Sequence, residues 1–234
     1  MNCVRRAVLR TPLLCKDSGG GGPRAYEPGV EVRAIDWRAS ARKGSLQIRE
    51  RAHVTLAWGA ILDTSRSMAA GRNRRLGEAA QESVDFWRRC RVAGDRWIEV
   101  APGRYRGLRH GLDSALHVLP GHSALLAAGD FFDLPAVPDA LLRAVALRLD
   151  CTALVARDPW RDGLPLAGFV AVADLETGEV RRFFIGARER MRFQREAGAR
   201  EHMVLARLHQ AGWRAATFSE NDGGDAVLRA FGAA

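Results

Sequence analysis

Oxygen-bearing side chains alternate at Asp63, Ser65 and Ser67, directly after the apolar run HVTLAWGAIL, His53 to Leu62. One carboxylate and two hydroxyls at that spacing, on a loop leaving a buried strand, can be aimed at one point. Hard oxygens suit Mg2+, which takes about six oxygen ligands and usually retains waters. A second carboxylate, Asp130, follows the apolar run SALLAA, Ser123 to Ala128, in the same way. It would bind such an ion directly or through water. An open ligand position could then take a carboxylate from a partner protein, so that the metal bridges two proteins. The competing reading is local: Asp63, Thr64 or Ser65 caps the helix that follows, a common role for short polar side chains. Spacing alone leaves both open.

Other reactive side chains form no recognisable set. The histidines, His53, His110, His117, His122, His202 and His209, include no His-x-x-x-His pair. His110 with His117, and His202 with His209, share helix faces and read as surface or boundary residues. Gly121-His122-Ser123 approaches a nucleophile elbow, but Leu125 stands where the closing glycine belongs. Gly19 to Gly22 lack the Gly-Lys-Ser/Thr that completes a P-loop. Cys3, Cys15, Cys90 and Cys151 match no C-x-x-C pair and no disulfide framework, so reduced thiols in the cytoplasm are expected.

The elements that must position the oxygens follow from periodicity and turn signals. The run 53–62 is a central buried strand. A helix from Arg74 to Arg91 places Leu76, Ala80, Val84 and Trp87 on one face. Then come a short strand at Arg96 to Val100, a helix at Leu108 to Leu119, a buried strand at Ser123 to Ala128, a helix at Pro138 to Leu149 and a strand at Thr152 to Ala156. A β-hairpin spans Phe169 to Phe184, with Glu176-Thr177-Gly178 at its turn. A long helix at Ala187 to Ala211 carries an Arg/Glu pattern expected to be a solvated face with i,i+4 pairs. A strand at Trp213 to Phe218 and a helical turn at Asp225 to Phe231 end the chain. Alternating strands and helices predict an α/β fold, an open, mostly parallel sheet with helices on both faces plus the hairpin. Ligands of such sheets bind at the carboxyl ends of strands, where Asp63 and Asp130 both fall.

With 234 residues, 47% hydrophobic, the chain suits one domain with a sizeable core. We divide it into a leader (1–22), a basic arm (23–52, an irregular segment on a domain edge) and the α/β domain (53–234). The formal charge is +9, and much of the excess lies in the leader and arm. A basic face attracts acidic proteins, nucleic acid or anionic lipid, but no nucleic-acid motif accompanies this one. No run approaches the ~18 apolar residues of a membrane span.

VTLAWGAILDTSRSM resembles the first strand and metal-ion-dependent adhesion motif of von Willebrand factor A domains. YEPGVEVRAIDWRASARKGSLQIRE resembles the signature of a bacterial family, domain of unknown function 58, through Tyr26, Pro28, Gly29, Arg33, Ile35, Asp36, Trp37, Ala41, Arg42 and Glu50. RDPWRDGLP and the DLETGE turn also look like that family. The resemblance implies a von Willebrand factor A-like, Rossmann-like fold. It also implies a non-enzymatic role beside a MoxR-type AAA+ ATPase, in chaperone-like assembly or metal insertion of a client protein; one branch of the family sits in methanol-oxidation clusters. Asp63, Ser65 and Ser67 match the adhesion motif, and Asp130 matches its later Asp, with Gly129 before it where the family often has Ser. The expected Thr ligand has no clear match, because Ser114 falls inside a predicted helix. The stretch from Asp95 to Asp130 is short, as if a helix were missing.

In the arm, Asp36, Trp37, Arg38 and Arg42 are candidates for contacting the ATPase, since Trp and Arg are frequent binding anchors. The structural alternative is that Trp37 fills an edge of the core while Asp36 pairs with Arg38 or Arg42. Two other functions stay in view: a metal-independent scaffold with a decayed site, and a nucleic-acid binder acting through the arm.

Overall fold

Runs of Ala, Leu and Val become the inaccessible centre of a parallel sheet, as strands covered on both faces require. The computed structural model describes residues 23–26, 35, 37–49, 55–103, 105–161, 168–174 and 177–232. Strands β5 (Ala124–Gly129) and β6 (Asp150–Ala156) are buried at every position. β3 (Ala57–Leu62) lies beside β5, β4 (Arg96–Trp97) forms one edge and β9 (Arg214–Phe218) the other. The order is β4-β3-β5-β6-β9 and every pairing is parallel. The order in which strands are added therefore reverses between β3 and β5, which is the topological switch point of a doubly wound fold.

Successive side chains of a strand face opposite sides, so the sheet has two cores. Leu125 and Ala127 face one, with Leu112 of α3 (Leu108–Val118), Leu142 of α4 (Asp139–Arg148) and Leu208 of α5 (Ala187–Gln210). Leu126 and Ala128 face the other, with Trp87 of α2 (Leu76–Arg89) and Val227 of α6 (Gly224–Ala230). Trp87 is fully buried, meets Trp58 edge to face at 4.7 Å and donates its indole N–H to the Gly59 carbonyl. Burying both tryptophans needs such a partner for each N–H; Trp58 finds the Asp95 carboxylate at 3.1 Å.

Within the span from Asp95 to Asp130, the helix expected at 108–119 is α3, which makes the crossover from β4 to β5. α3 approaches the sheet closely because Gly111 faces Ile61; a Cβ there would sit 2.8 Å from Ile61 Cγ2. The expected strand at 96–100 contracts to two residues. Only Arg96 and Trp97 pair with β3, and the chain then turns away through Ala101, which has φ +48°.

The hairpin forms from β7 (Gly168–Ala173) and β8 (Val180–Ile185), and stands apart from the main sheet. The arm is more regular than its composition implied: β1 (Pro23–Ala25) pairs antiparallel with β2 (Gln47–Arg49), and α1 (Trp37–Lys43) lies between them in sequence. Trp37 is 63% exposed, which overturns the expectation that it fills a core edge. Arg38 and Arg42 are exposed on the same helix. Asp36, Glu50 and residues 1–22 lie outside the described residues. Among the described residues no helix is long and apolar enough to cross a membrane.

Candidate metal centre

Register brings the two acids together. Leu62 pairs with Ala128, and the Asp63 amide donates to the Ala128 carbonyl at 2.9 Å. Asp63 and Asp130 thus leave neighbouring strands at the switch point. Gly129 makes room: a Cβ there would lie 2.5 Å from Asp63 Cβ and 2.9 Å from its Oδ2. A glycine at this position lets the Asp63 side chain lie directly against the β5 backbone.

The hydroxyls are not helix caps. Asp63 Oδ1 accepts the Ser65 amide at 2.8 Å, which folds the chain back over the sheet rim. A short 3-10 turn, Arg66–Ala69, follows with no side-chain cap from Ser65. α2 begins only at Leu76, and Arg75 gives it no cap bond. Instead Ser65 Oγ and Ser67 Oγ lie 2.8 Å apart, and Ser67 Oγ donates to Asp130 Oδ2 at 2.5 Å. The other Asp130 oxygen, Oδ1, accepts the Phe132 amide at 2.9 Å. The four side chains named from sequence, Asp63, Ser65, Ser67 and Asp130, therefore form one cluster. Both acids are buried, at 4% and 7% exposure.

Burial pushes the Asp63 carboxyl above its usual range; hydrogen bonds from Ser65 lower it, and the Asp130 charge raises it again. Two carboxylates drawn out of water side by side are an arrangement that a cation stabilises. The donor set fits a hard ion. It is all oxygen, and at Mg–O distances near 2.1 Å adjacent ligands of an octahedron stand about 3 Å apart. The Ser65–Ser67 separation of 2.8 Å is close to that spacing. Among the described residues no three His, Cys, Asp or Glu side chains gather, so hydroxyls and water must complete any shell.

Sequence reasoning missed several neighbours. Ser114 sits within α3, away from the rim, but Tyr105 in the loop before α3 lines the same cleft as Asp63. Its hydroxyl donates to Asp133 at 3.2 Å, and Asp133 also accepts the Leu108 amide, fixing the start of α3. Burial, with the charges of Asp63, Asp133 and Asp130, pushes the Tyr105 phenol far above its usual range, so it remains a hydroxyl. Arg200, on α5, donates to the Asp130 carbonyl at 2.8 Å and lies 3.6 Å over the Phe132 ring. The Arg/Glu pattern of α5 is thus only partly a solvated face. Arg192 and Glu196 pair on its surface, while Glu201, 12% exposed, holds Arg161 and Arg157 from the loop after β6. The signal available in sequence was Phe131-Phe132-Asp133, two aromatics and an acid immediately after Asp130.

The two clefts beside Asp63 and Tyr105 hold about 180 and 270 Å3, open solvent included. Ser123, the would-be nucleophile, is buried at the amino end of β5, opposite the cluster, and donates to the Pro120 carbonyl.

A family described as "Protein of unknown function DUF58" matches residues 22–83 and 98–203. The chain is 27% identical over 230 residues to Uncharacterized protein Rv1480 of Mycobacterium tuberculosis, covering 82% of this chain and 71% of that protein. Uncharacterized protein Mb1516 of Mycobacterium bovis gives the same identity and coverage. No solved structure matches significantly. The arm signature, β3 with Asp63, and the segment from α3 into α5 fall inside the matched segments, and the chain belongs to the DUF58 family.

Proposed function

We propose that this chain is a non-enzymatic protein-binding adaptor whose Asp63, Ser65, Ser67 and Asp130 hold Mg2+ at the rim of the sheet. The observation that carries this is the convergence of Ser65 Oγ, Ser67 Oγ and Asp130 Oδ2 within hydrogen-bond reach, with Asp63 buried beside them. When bound, the ion supplies a Lewis-acidic position for a carboxylate of the partner. Asp63 orients the loop through the Ser65 amide, and Gly129 lets it do so. Asp130 is fixed from behind by Phe132 and Arg200. Among the described residues the clefts beside Asp63 and Tyr105 are partly open to solvent, where a side chain of another protein can reach the rim. The partner we infer is a MoxR-type AAA+ ATPase, acting on a client protein in the cytoplasm; this rests on the family resemblance.

A second reading is a scaffold that needs no ion. Its support is that the Ser65–Ser67–Asp130 bonds close the cluster within the chain. Retention of the ATPase encoded nearest this gene, measured in Mg2+ and in EDTA, separates the two. The adaptor predicts retention that disappears in EDTA and in Asp63→Ala. Equal retention in every arm would establish the scaffold, and no retention anywhere would refute the ATPase partnership.

A further inference from the structure

The loop after β5 does more than supply Asp130. Phe131 is buried, in left-handed backbone at φ +55°, a conformation that costs free energy in a non-glycine residue. The turn this creates carries the next residue outward, and Phe132 is 62% exposed. Arg200 covers one face of its ring at 3.6 Å and anchors the same loop through the Asp130 carbonyl. The ring therefore has one face against Arg200 and its remaining surface open, two residues from an acid of the cluster. Consecutive Cα atoms are about 3.8 Å apart, so the Phe132 Cα lies within ~8 Å of the Asp130 Cα.

A second aromatic–guanidinium pair lies near the carboxyl end of β6, the neighbour of β5. Arg72 stands 4.9 Å from the Trp160 ring. Trp160 belongs to the RDPWRD stretch, which the metal cluster leaves unused. Arg72 in turn belongs to the loop that carries the cluster's hydroxyls. From residue 64 to 75 that loop contains Arg66, Arg72, Arg74 and Arg75 and no acid of its own; Arg74 pairs with Glu82, and the Glu220 carboxylate accepts the Arg72 and Asn73 amides. Arg66, Arg72 and Arg75 are exposed.

We propose that Phe132, held by Arg200, is an apolar anchor beside the oxygen cluster, and that it takes a large apolar side chain adjoining the acid of an acidic partner segment. Charge complementarity with the cationic loop selects the acidic character, and the exposed ring selects the apolar neighbour. Aromatic residues, Phe among them, and Arg are enriched at the cores of protein interfaces. The inference rests on the adaptor reading, which supplies the acid's own position.

The probe is an array of hexapeptides, each with one or two acids and one aromatic at every spacing, incubated with the full chain in Mg2+ or EDTA. Peptides with Phe, Tyr, Trp or Leu within two residues of an acid are expected to dominate. Phe132→Ala should weaken the best of them at least about tenfold, and Phe132→Trp should restore them. Mn2+ affinity of each variant is measured in parallel. Best binders lacking an apolar residue, an unaffected Phe132→Ala, a parallel loss of Mn2+ affinity, or no binding at all would each overturn the inference. If Phe132 matters but EDTA does not, the anchor stands and the metal-dependent adaptor falls. If EDTA abolishes binding while Phe132→Ala does not, the anchor falls and the adaptor stands.

Discussion

Replacing Gly129 by Ala tests how the cluster is built. Gly129 does not have positive φ, so Ala is acceptable to the backbone and the effect is steric. The new methyl would lie 2.5 Å from Asp63 Cβ. Carbon atoms prefer about 3.5–4.0 Å, so the overlap is roughly 1 Å. It falls between two backbones paired in the centre of the sheet, where little can yield. Overpacking of this kind costs about 1–3 kcal/mol. For a chain of this size each kcal/mol moves Tm by about 2–4 °C, so a fall of about 2–12 °C is expected by thermal melting followed by circular dichroism. The Asp63→Gly/Gly129→Ala double variant removes the clash. A double-mutant cycle should then give a coupling of about 0.5–3 kcal/mol between the positions. An unchanged Tm in Gly129→Ala, or strictly additive effects, would refute the account of Gly129 as the space for Asp63.

Other outcomes follow from the same geometry. Burial pushes the Cys90 thiol up to about 11 and the Cys151 thiol well above its usual value. A Cys3→Ser/Cys15→Ser variant should therefore leave Ellman's reagent unreacted at pH 8 until the protein is unfolded; prompt native-state reaction would contradict this. Burial raises the Asp222 carboxyl, but the Ser219 amide and hydroxyl and Arg229 bring it below its ordinary 3.8. Its folded pKa is thus the lower one, so its stabilisation is present above about pH 4 and fades as pH falls through the folded value. Urea melts of Asp222→Asn and the unsubstituted protein should differ at pH 7 and converge toward pH 3.

The alternation of β3, β5 and β6 with α2, α3 and α4 was legible because β3 and β5 are apolar runs, β6 is apolar apart from Asp150 and Thr152, and the helices between them carry buried apolar residues. The switch point followed, since short connections and parallel pairing leave few alternatives. The convergence of Ser67 with Asp130, 63 residues away, was readable only as two strand ends, because tertiary pairing sets their distance. Arg200 was not legible. On a helix surface its charge pattern looks like solvated pairing, and nothing local distinguishes it from Arg192. Of the two readings of Trp37, packing at a core edge fails: a large aromatic usually seeks the core, yet here it lies exposed on a short helix with no buried residue. The contraction of β4 reflects geometry rather than propensity, since the positive φ at Ala101 accompanies the turn away from the sheet.

The cluster itself can be examined directly by soaking crystals of the protein in Mn2+ and recording anomalous scattering. The account predicts a single strong peak beside Ser65 Oγ, Ser67 Oγ and Asp130, absent from Asp63→Ala crystals of the same form. A map with no peak there, and with the Ser67 hydroxyl still bonded to Asp130, would contradict the metal-dependent adaptor.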